Sequence, residues 1–157
     1  MFSIIAAIGK NNELGKKNGL VFKIKEDMRY FRDKTMGHKV VMGSNTWNSL
    51  PAKLNGRENI VISTREFDGP DLIIHDAKDF IQKNLKSDEE IFIIGGGTVY
   101  MQFLPFAKNI YLTEVDAEDK EAVTYFPEFN KDEYDIELVK KGSENGLNYS
   151  FFKYTRK

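Results

Sequence analysis

The amino-acid sequence predicts an α/β domain: a mostly parallel, mixed sheet flanked by helices, with an antiparallel edge at the C-terminal end. Short apolar runs recur along the chain: Phe2 to Ile8, Val40-Val41-Met42, Ile60-Val61-Ile62, Leu72-Ile73-Ile74, Ile91-Phe92-Ile93-Ile94 and Ile110-Tyr111-Leu112. Each is β-branched or aromatic and nearly continuous, the pattern of strands covered on both faces. Helix-like segments fall between several of them, at Ile24 to Thr35, Thr46 to Leu50, Ala77 to Leu85 and Thr98 to Leu104. That alternation implies crossover connections and parallel pairing. Tyr134 to Val139 and Tyr149 to Tyr154 partly alternate apolar with polar residues instead, around Asn145-Gly146, a hairpin turn signal.

The chain has 157 residues, one domain at ~100–200 residues per domain. No repeat, low-complexity tract or linker divides it. Lys+Arg 23 against Asp+Glu 24 gives a net charge of -1, which argues against a nucleic-acid partner, because duplex binding rests on a strongly basic face. Cysteine is absent, so disulfides, thiolate nucleophiles and cysteine zinc sites are excluded. His38 and His75 belong to no ligand pair and read as strand-end residues. Asp116, Glu118, Asp119 and Glu121 form an acidic loop without the EF-hand pattern, and no metal is expected. The N-terminal apolar run lacks a basic flank and reads as a buried first strand, and no stretch reaches the ~20 apolar residues of a membrane span. A soluble, cytoplasmic protein is expected.

The first chemical clue is an acid on the apolar face of a helix. Ile24, Met28 and Phe31 recur at i, i+4 and i+7 and form one stripe. Asp27 falls inside it, while Lys25, Glu26, Arg29, Arg32 and Asp33 occupy the other side. Such an acid is costly unless something pairs with it, and burial raises its pKa. Facing a pocket, it would bind an N–H-rich group or help deliver a proton; alternatively, it favours the macrodipole of the helix N-terminus.

Two strand-to-helix turns are rich in glycine: Met42-Gly43-Ser44-Asn45-Thr46 and Ile94-Gly95-Gly96-Gly97-Thr98. Glycine admits a ligand close to the backbone, and free N–H groups at a helix start bind anions. Together the turns suit the pyrophosphate of a dinucleotide; singly, each is also a tight turn with a helix cap. Neither is a P-loop or a full GxGxxG, and a GxSxG elbow is absent. Ser63-Thr64-Arg65, directly after a strand, adds a hydroxyl-and-guanidinium anion site.

Assembled in order, these residues resemble the dihydrofolate reductase family nearly end to end. The resemblance is carried by Ile4-Ile5-Ala6-Ala7 with Leu14-Gly15, by Asp27-Met28 with Phe31, and by Val41-Met42-Gly43-Ser44-Asn45-Thr46-Trp47. Gly56-Arg57-Glu58-Asn59, Ile94-Gly95-Gly96-Gly97-Thr98-Val99-Tyr100, Leu112-Thr113 and Phe126-Pro127 complete it. It implies a single domain, bacterial or viral in type, with an eight-stranded sheet, about four helices and an adenosine-binding part at residues 38–88. The implied reaction reduces dihydrofolate with NADPH, and antifolate inhibitors and a monomeric state are implied with it.

Roles transfer by position. Asp27, helped by the Thr113 hydroxyl, binds the pterin N–H groups and promotes protonation of the nitrogen beside the reduced carbon; Leu20 and Phe22 stand beside the acid. Ile5, Leu20, Met28, Phe31, Leu50, Leu54 and Ile94 sandwich the rings, with Tyr100 nearby, and Ala6 and Ala7 leave room for them. Arg57 pairs with the α-carboxylate of the glutamate tail. Cofactor contacts are implied for Ala7, for Leu14, Gly15, Lys16, Asn18, Gly19 and Leu20, and for Gly43, Ser44, Asn45 and Thr46. They are implied also for Ile62, Ser63, Thr64 and Arg65, and for Ile94, Gly95, Gly96, Gly97, Thr98, Val99 and Tyr100. Gly95-Gly96 resembles the family's cis-linked pair, and Gly9 to Lys23 its mobile closing loop.

Four departures stand out. Val21-Phe22 replaces the usual Pro-Trp, and Phe22 cannot donate the hydrogen bond with which the indole holds a water near the acid. Ser44 replaces an arginine often set against the cofactor's 2′-phosphate, Thr98 is also uncharged, and Arg65 with Ser63 and Thr64 is the expected substitute. Ala122-Val123 replaces a Gly-Asp pair that steadies the closed loop in some members. Tyr30 replaces a common tryptophan, a packing change. The alternatives are a riboflavin-type reductase on the same fold, which Asp27 and Arg57 oppose, and a nucleotide-binding module without catalysis, which Asp27 opposes.

Overall fold

The structure, a computed structural model, describes residues 1–16, the backbone of 19–20, and 22–157. In chain order the elements are β1 (Phe2–Ile8), β2 (Glu13–Lys16), β3 (Gly19–Leu20), α1 (Lys25–Thr35), β4 (Lys39–Gly43), α2 (Ser44–Ser49), β5 (Glu58–Ile62), β6 (Leu72–Ile74) and α3 (Ala77–Asn84). There follow β7 (Ile91–Gly95), α4 (Gly97–Phe103), β8 (Ala107–Val115), β9 (Thr124–Tyr125), β10 (Tyr134–Glu144) and β11 (Leu147–Arg156). Among the described residues an eight-stranded sheet runs in the order β10-β11-β8-β1-β7-β4-β5-β6. Its pairs from β8 to β6 are parallel, and β11 pairs antiparallel with both β8 and β10. The α/β mixed sheet with an antiparallel C-terminal edge is thus observed.

Alternation within the continuous apolar runs builds two cores. Phe2, Ile4, Ile8, Val41, Ile60, Ile91, Ile93, Ile110 and Leu112 point to the face covered by α3 and α4 through Ile81, Val99 and Phe103. Ile5, Val40, Met42, Val61, Phe92 and Tyr111 point to the other face, covered by Tyr30 and Phe31 of α1 and Trp47 of α2. Each strand therefore buries both edges of its pleat, as parallel strands do. The β10–β11 turn places Asn145 at φ 51 and Gly146 at φ 80, the left-handed pair that a two-residue hairpin loop requires. The hairpin itself is longer than the sequence suggests.

α1 begins after Ile24, whose buried side chain is 2% exposed and anchors the N-terminus. Glu26 and Asp27 in the first turn and Arg32 and Lys34 in the last complement the helix dipole. The expected apolar stripe divides: Ile24 is buried and Phe31 half-buried, but Met28 is 59% exposed and joins neither core. α2 starts at Ser44, earlier than expected, with Gly43 as an N-cap that offers no side-chain acceptor. His38 precedes β4 and His75 follows β6, as expected of strand-end residues.

The segment from Gly9 to Lys23 is not loop throughout. Its strands β2 and β3 pair with each other, and β2 pairs with β9, in a small three-stranded sheet. Glu13 explains how this sheet is held. It is 2% exposed, and its carboxylate accepts hydrogen bonds from the N–H of Asn11 at 2.6 Å and of Asp119 at 2.7 Å. Burial by itself pushes the Glu13 pKa up, but the N–H donors outweigh it and hold the pKa below 4.5. A Cβ on Gly9 would lie 2.6 Å from Glu13 Oε1 and 2.8 Å from both the Ala117 carbonyl and the Phe22 ring, so only glycine fits there.

Glu13→Ala should cost about 1–3 kcal/mol of unfolding free energy, by orphaning two buried N–H groups. Urea titrations should show the wild-type advantage whole above pH 4.5 and fading as pH falls through the lower folded-state value.

Candidate functional site

The predicted site residues gather at the carboxyl ends of the parallel strands, where open α/β sheets bind ligands. Ala7 lies near the end of β1, Gly43 ends β4, Ile62 ends β5 and Gly95 ends β7. Register then sets the neighbours. Ala7 pairs with Thr113 on β8, and Thr113 pairs with Phe151 on β11. Strand alternation turns Ala6 the other way, into the core with Ile4 and Ile8, so Ala7 shares the opposite face of β1 with Ile5 and Ser3.

Asp27 faces this row from the first turn of α1. Thr113 Oγ1 donates a hydrogen bond to Asp27 Oδ1 at 2.7 Å, joining helix to sheet. Thr113 is 2% exposed, whereas Asp27 is half-buried. Burial pushes the Asp27 pKa above 3.8, and the Thr113 hydroxyl only partly opposes it. Next to it, Glu26 accepts from Tyr149 Oη at 2.6 Å and forms an ion pair with Lys140. Lys25 N–H donates to Glu144 at 3.0 Å. The β10–β11 hairpin thus pins the turn that carries the acid.

Phe31, Leu50, Leu54 and Ile94 pack along the same face as Ile5. Phe22 packs with Ile24, Val115, Tyr149 and Phe151. Arg57 lies beyond Phe31, its guanidinium 6.0 Å from that ring. Nη1 donates to Thr35 Oγ1 at 3.1 Å and Nε to the Asn55 carbonyl at 3.0 Å. Leu54 and Arg57 line a cavity of ≈ 670 Å³ with His38, Lys53 and Asn55. Burial, with Arg32 a second cause, lowers the Arg57 pKa; a guanidinium remains charged.

The two glycine turns lie side by side, because β4 and β7 are neighbours with Met42 opposite Gly95. A Cβ on Gly96 would lie 3.6 Å from Thr46 Oγ1, and one on Gly43 would lie 3.2 Å from Val99. The Gly95–Gly96 peptide is cis. Neither α2 nor α4 has a side-chain cap, which leaves first-turn N–H groups for a ligand. Tyr100, buried, donates from Oη to the Ile5 carbonyl at 2.8 Å. Its ring lies against the Ile94 to Thr98 turn, where a Cβ on Gly95 would be 3.3 Å from Tyr100 Oη. Leu14 is buried in the core, and Tyr125 and Leu14 press on Gly97. Gly15 accepts from Val123 N–H at 2.8 Å, and Lys16 pairs with Asp119 at 3.9 Å. Asn18 and Val21, and the side chain of Leu20 beside Gly19, lie outside the described residues.

Because Gly43 pairs with Ile62, the residues that follow them, Ser44 and Ser63, leave adjacent strands together. Ser63 Oγ accepts from Arg65 N–H at 3.1 Å, and the Arg65 side chain is exposed beside Thr64. Thr98 and Asn45 are exposed at the starts of α4 and α2. Among the described residues no cluster of acids or histidines could hold a metal ion, and no helix is long and apolar enough to cross a membrane.

Sequence reasoning missed Glu13, a lone acid in a short strand, and the Glu26–Tyr149 contact, whose partners are far apart in the chain. Neither carries a local signal.

A half-buried acid bonded to the sheet and paired glycine turns at the carboxyl ends of adjacent parallel strands are the arrangement of an α/β enzyme with its site at the strand ends. The comparisons make that particular. A family model for dihydrofolate reductase matches residues 1–156. The dihydrofolate reductase of Haemophilus influenzae is 35% identical over 99% of both chains, and that of Buchnera aphidicola from Acyrthosiphon pisum 37% identical over 95% of both. That of Bacillus subtilis is 32% identical over 100% of this chain and 95% of its own. The chain belongs to the dihydrofolate reductase family, a family of nicotinamide-dependent oxidoreductases.

Since folding raises the Asp27 pKa, the protonated acid is the form the fold favours; that contribution is whole below 3.8 and lost as pH rises through the folded-state value. Asp27→Asn should therefore be more stable than wild type at neutral pH. Denaturation at several pH values should show the gap closing as pH falls toward 3.8.

Proposed function

We propose that the protein reduces 7,8-dihydrofolate to tetrahydrofolate with NADPH, serving one-carbon metabolism, with Asp27 as its acid. The single observation that carries the acid assignment is the Thr113–Asp27 hydrogen bond between α1 and the sheet. Bound across the glycine turns, the nicotinamide cofactor supplies the hydride. The residues present suit it: small turns that close backbone approach requires, uncapped helix starts, and hydroxyls at Ser44, Thr46 and Ser63 for phosphate oxygens.

This chain's own residues do the rest. Asp27 accepts the N–H groups of the pterin as a carboxylate and promotes protonation of the nitrogen beside the reduced carbon. Thr113 fixes one carboxylate oxygen and so aims the other. Ile5, Phe31, Leu50, Leu54 and Ile94 clasp the rings, with exposed Met28 closing over them when ligand is bound. Arg57, pre-oriented by Thr35 and Asn55, presents its remaining nitrogen to the α-carboxylate of the glutamate tail. Much of the catalysis is then positioning, because hydride donor and acceptor must approach to about 3–3.5 Å. Residues 38–88 hold the adenosine end, with Arg65, Ser63 and Thr64 on the 2′-phosphate. Flat antifolates compete for the same acid.

The test is NADPH absorbance followed with dihydrofolate; no turnover with either NADPH or NADH would overturn the reading. Asp27→Asn should lose about 10²-fold or more of turnover at neutral pH with cofactor affinity nearly unchanged. Arg57→Ala should raise the Michaelis constant for dihydrofolate about tenfold or more, while tail-less pteridines are little affected. Arg65→Ala should reduce the ratio of NADPH to NADH efficiency, and an unchanged ratio would place 2′-phosphate recognition elsewhere.

A further inference from the structure

Beyond β5 the chain makes a short loop, Ser63-Thr64-Arg65-Glu66, and a single side chain holds both of its ends. His75, just past β6, places Nδ1 2.6 Å from the Ser63 carbonyl oxygen and Nε2 2.6 Å from Glu66 Oε1. Strand register brings these groups together. Ile62 pairs with Ile74, and Ser63 N–H donates to the Ile74 carbonyl at 3.0 Å. One position further on, the His75 ring takes the place of main chain. Within the loop, Arg65 N–H donates to Ser63 Oγ at 3.1 Å. Arg65 therefore stands between the two points that His75 fixes. Its side chain is exposed and, among the described residues, has no carboxylate at ion-pair distance.

The partners of the ring dictate its protonation. A carbonyl and an ionised carboxylate only accept, and a neutral imidazole has a single N–H to donate. Both contacts are hydrogen bonds only when both nitrogens carry hydrogen, so the staple is made by the imidazolium. The loop brings Arg65 and Glu66 to this histidine. The start of α3 brings Asp76, whose Oδ1 is turned to the N–H groups of Lys78 and Asp79. Glu66 is the one whose charge acts on the ring. Its carboxylate first and the Ser63 carbonyl second raise the His75 pKa above 6.5, and burial, a lesser cause, opposes them. The staple is thus whole below 6.5 and opens as pH rises through the raised folded-state value.

We propose that His75 is a positioning residue for recognition of the cofactor's 2′-phosphate: as an imidazolium it clamps Ser63 to Glu66 and so fixes the loop that presents Arg65. The inference rests on Arg65 reading that phosphate. It goes further, because the preference for a phosphorylated ribose then depends on a histidine that does not itself bind the phosphate.

The probes are 2′,5′-ADP and 5′-AMP, which differ by the 2′-phosphate alone, with affinities measured by calorimetry across the His75 titration. Ring resonances, assigned by their loss in His75→Gln, give the His75 midpoint. It should lie above 6.5 in wild type and fall in Glu66→Gln. Below the midpoint, His75→Gln should cut the preference for 2′,5′-ADP by about two- to fivefold, the scale of an exposed ion pair. Above it, wild type and variant should converge. The titration of the 2′-phosphate itself is common to every variant and cancels in the comparison. Glu66→Gln separates positioning from plain charge: lost positioning lowers the preference, whereas removal of a nearby anion raises it. Where Arg65→Ala lowers the preference, one unmoved in His75→Gln or raised in Glu66→Gln overturns the proposal alone. Where Arg65→Ala leaves it unmoved, the assignment of Arg65 fails first and the proposal falls with it.

Discussion

One hydrogen bond, Thr113 to Asp27, joins α1 to the sheet and sets the position of the half-buried acid. A half-enclosed carboxylate is costly because it loses water, and a single hydroxyl does not restore what it lost. That deficit keeps the acid's pKa above its ordinary value. The surrounding contacts hold the unfavourable group where it is. Ile24 anchors the helix start, Tyr149 and Lys140 grip Glu26, and Glu144 receives the N–H of Lys25.

The glycine turns use the opposite strategy. Side chains are withheld and backbone is left available: Gly43 and Gly95 end adjacent strands, Gly96 and Gly97 follow, and a Cβ on Gly96 would lie 3.6 Å from Thr46 Oγ1. The small sheet rests on this turn through Leu14 and Tyr125. Glu13 ties it to the 116–119 segment with an ionised, buried carboxylate satisfied by backbone N–H groups. Where the sequence has Ala122-Val123 in place of a Gly-Asp pair, the connection persists through main chain, from Val123 N–H to the Gly15 carbonyl, and through Glu13. The two carboxylates Glu13 and Asp27 are both withdrawn from water, yet their pKa values move apart because only Glu13 has several N–H donors.

Much of this was legible in one dimension. Continuous β-branched runs announce strands buried on both faces, since nothing else makes so many consecutive residues apolar within so short a span. Asn145-Gly146 announces a hairpin, because left-handed backbone at both positions suits few residue pairs. Asp27 announces itself by occupying an apolar stripe. The glycines announce close approach, although not what approaches. The resemblance to a family then named the chemistry. Less legible were Met28, which the stripe places inward and the structure exposes, and Ala6, which alternation sends to the core opposite Asp27.

The sequence alone determined the element types, their order, the parallel core with its antiparallel edge and the residues able to do chemistry, because periodicity and turn preference are local properties of the chain. Only the tertiary structure decided that Thr113, distant in sequence, meets Asp27, and that the two glycine turns are neighbours. It also decided that Glu13 is a buried tie rather than a surface acid. Each of these depends on strand order and register, which no single segment encodes. The cost of burying a polar group is set by what the rest of the fold brings within hydrogen-bond reach.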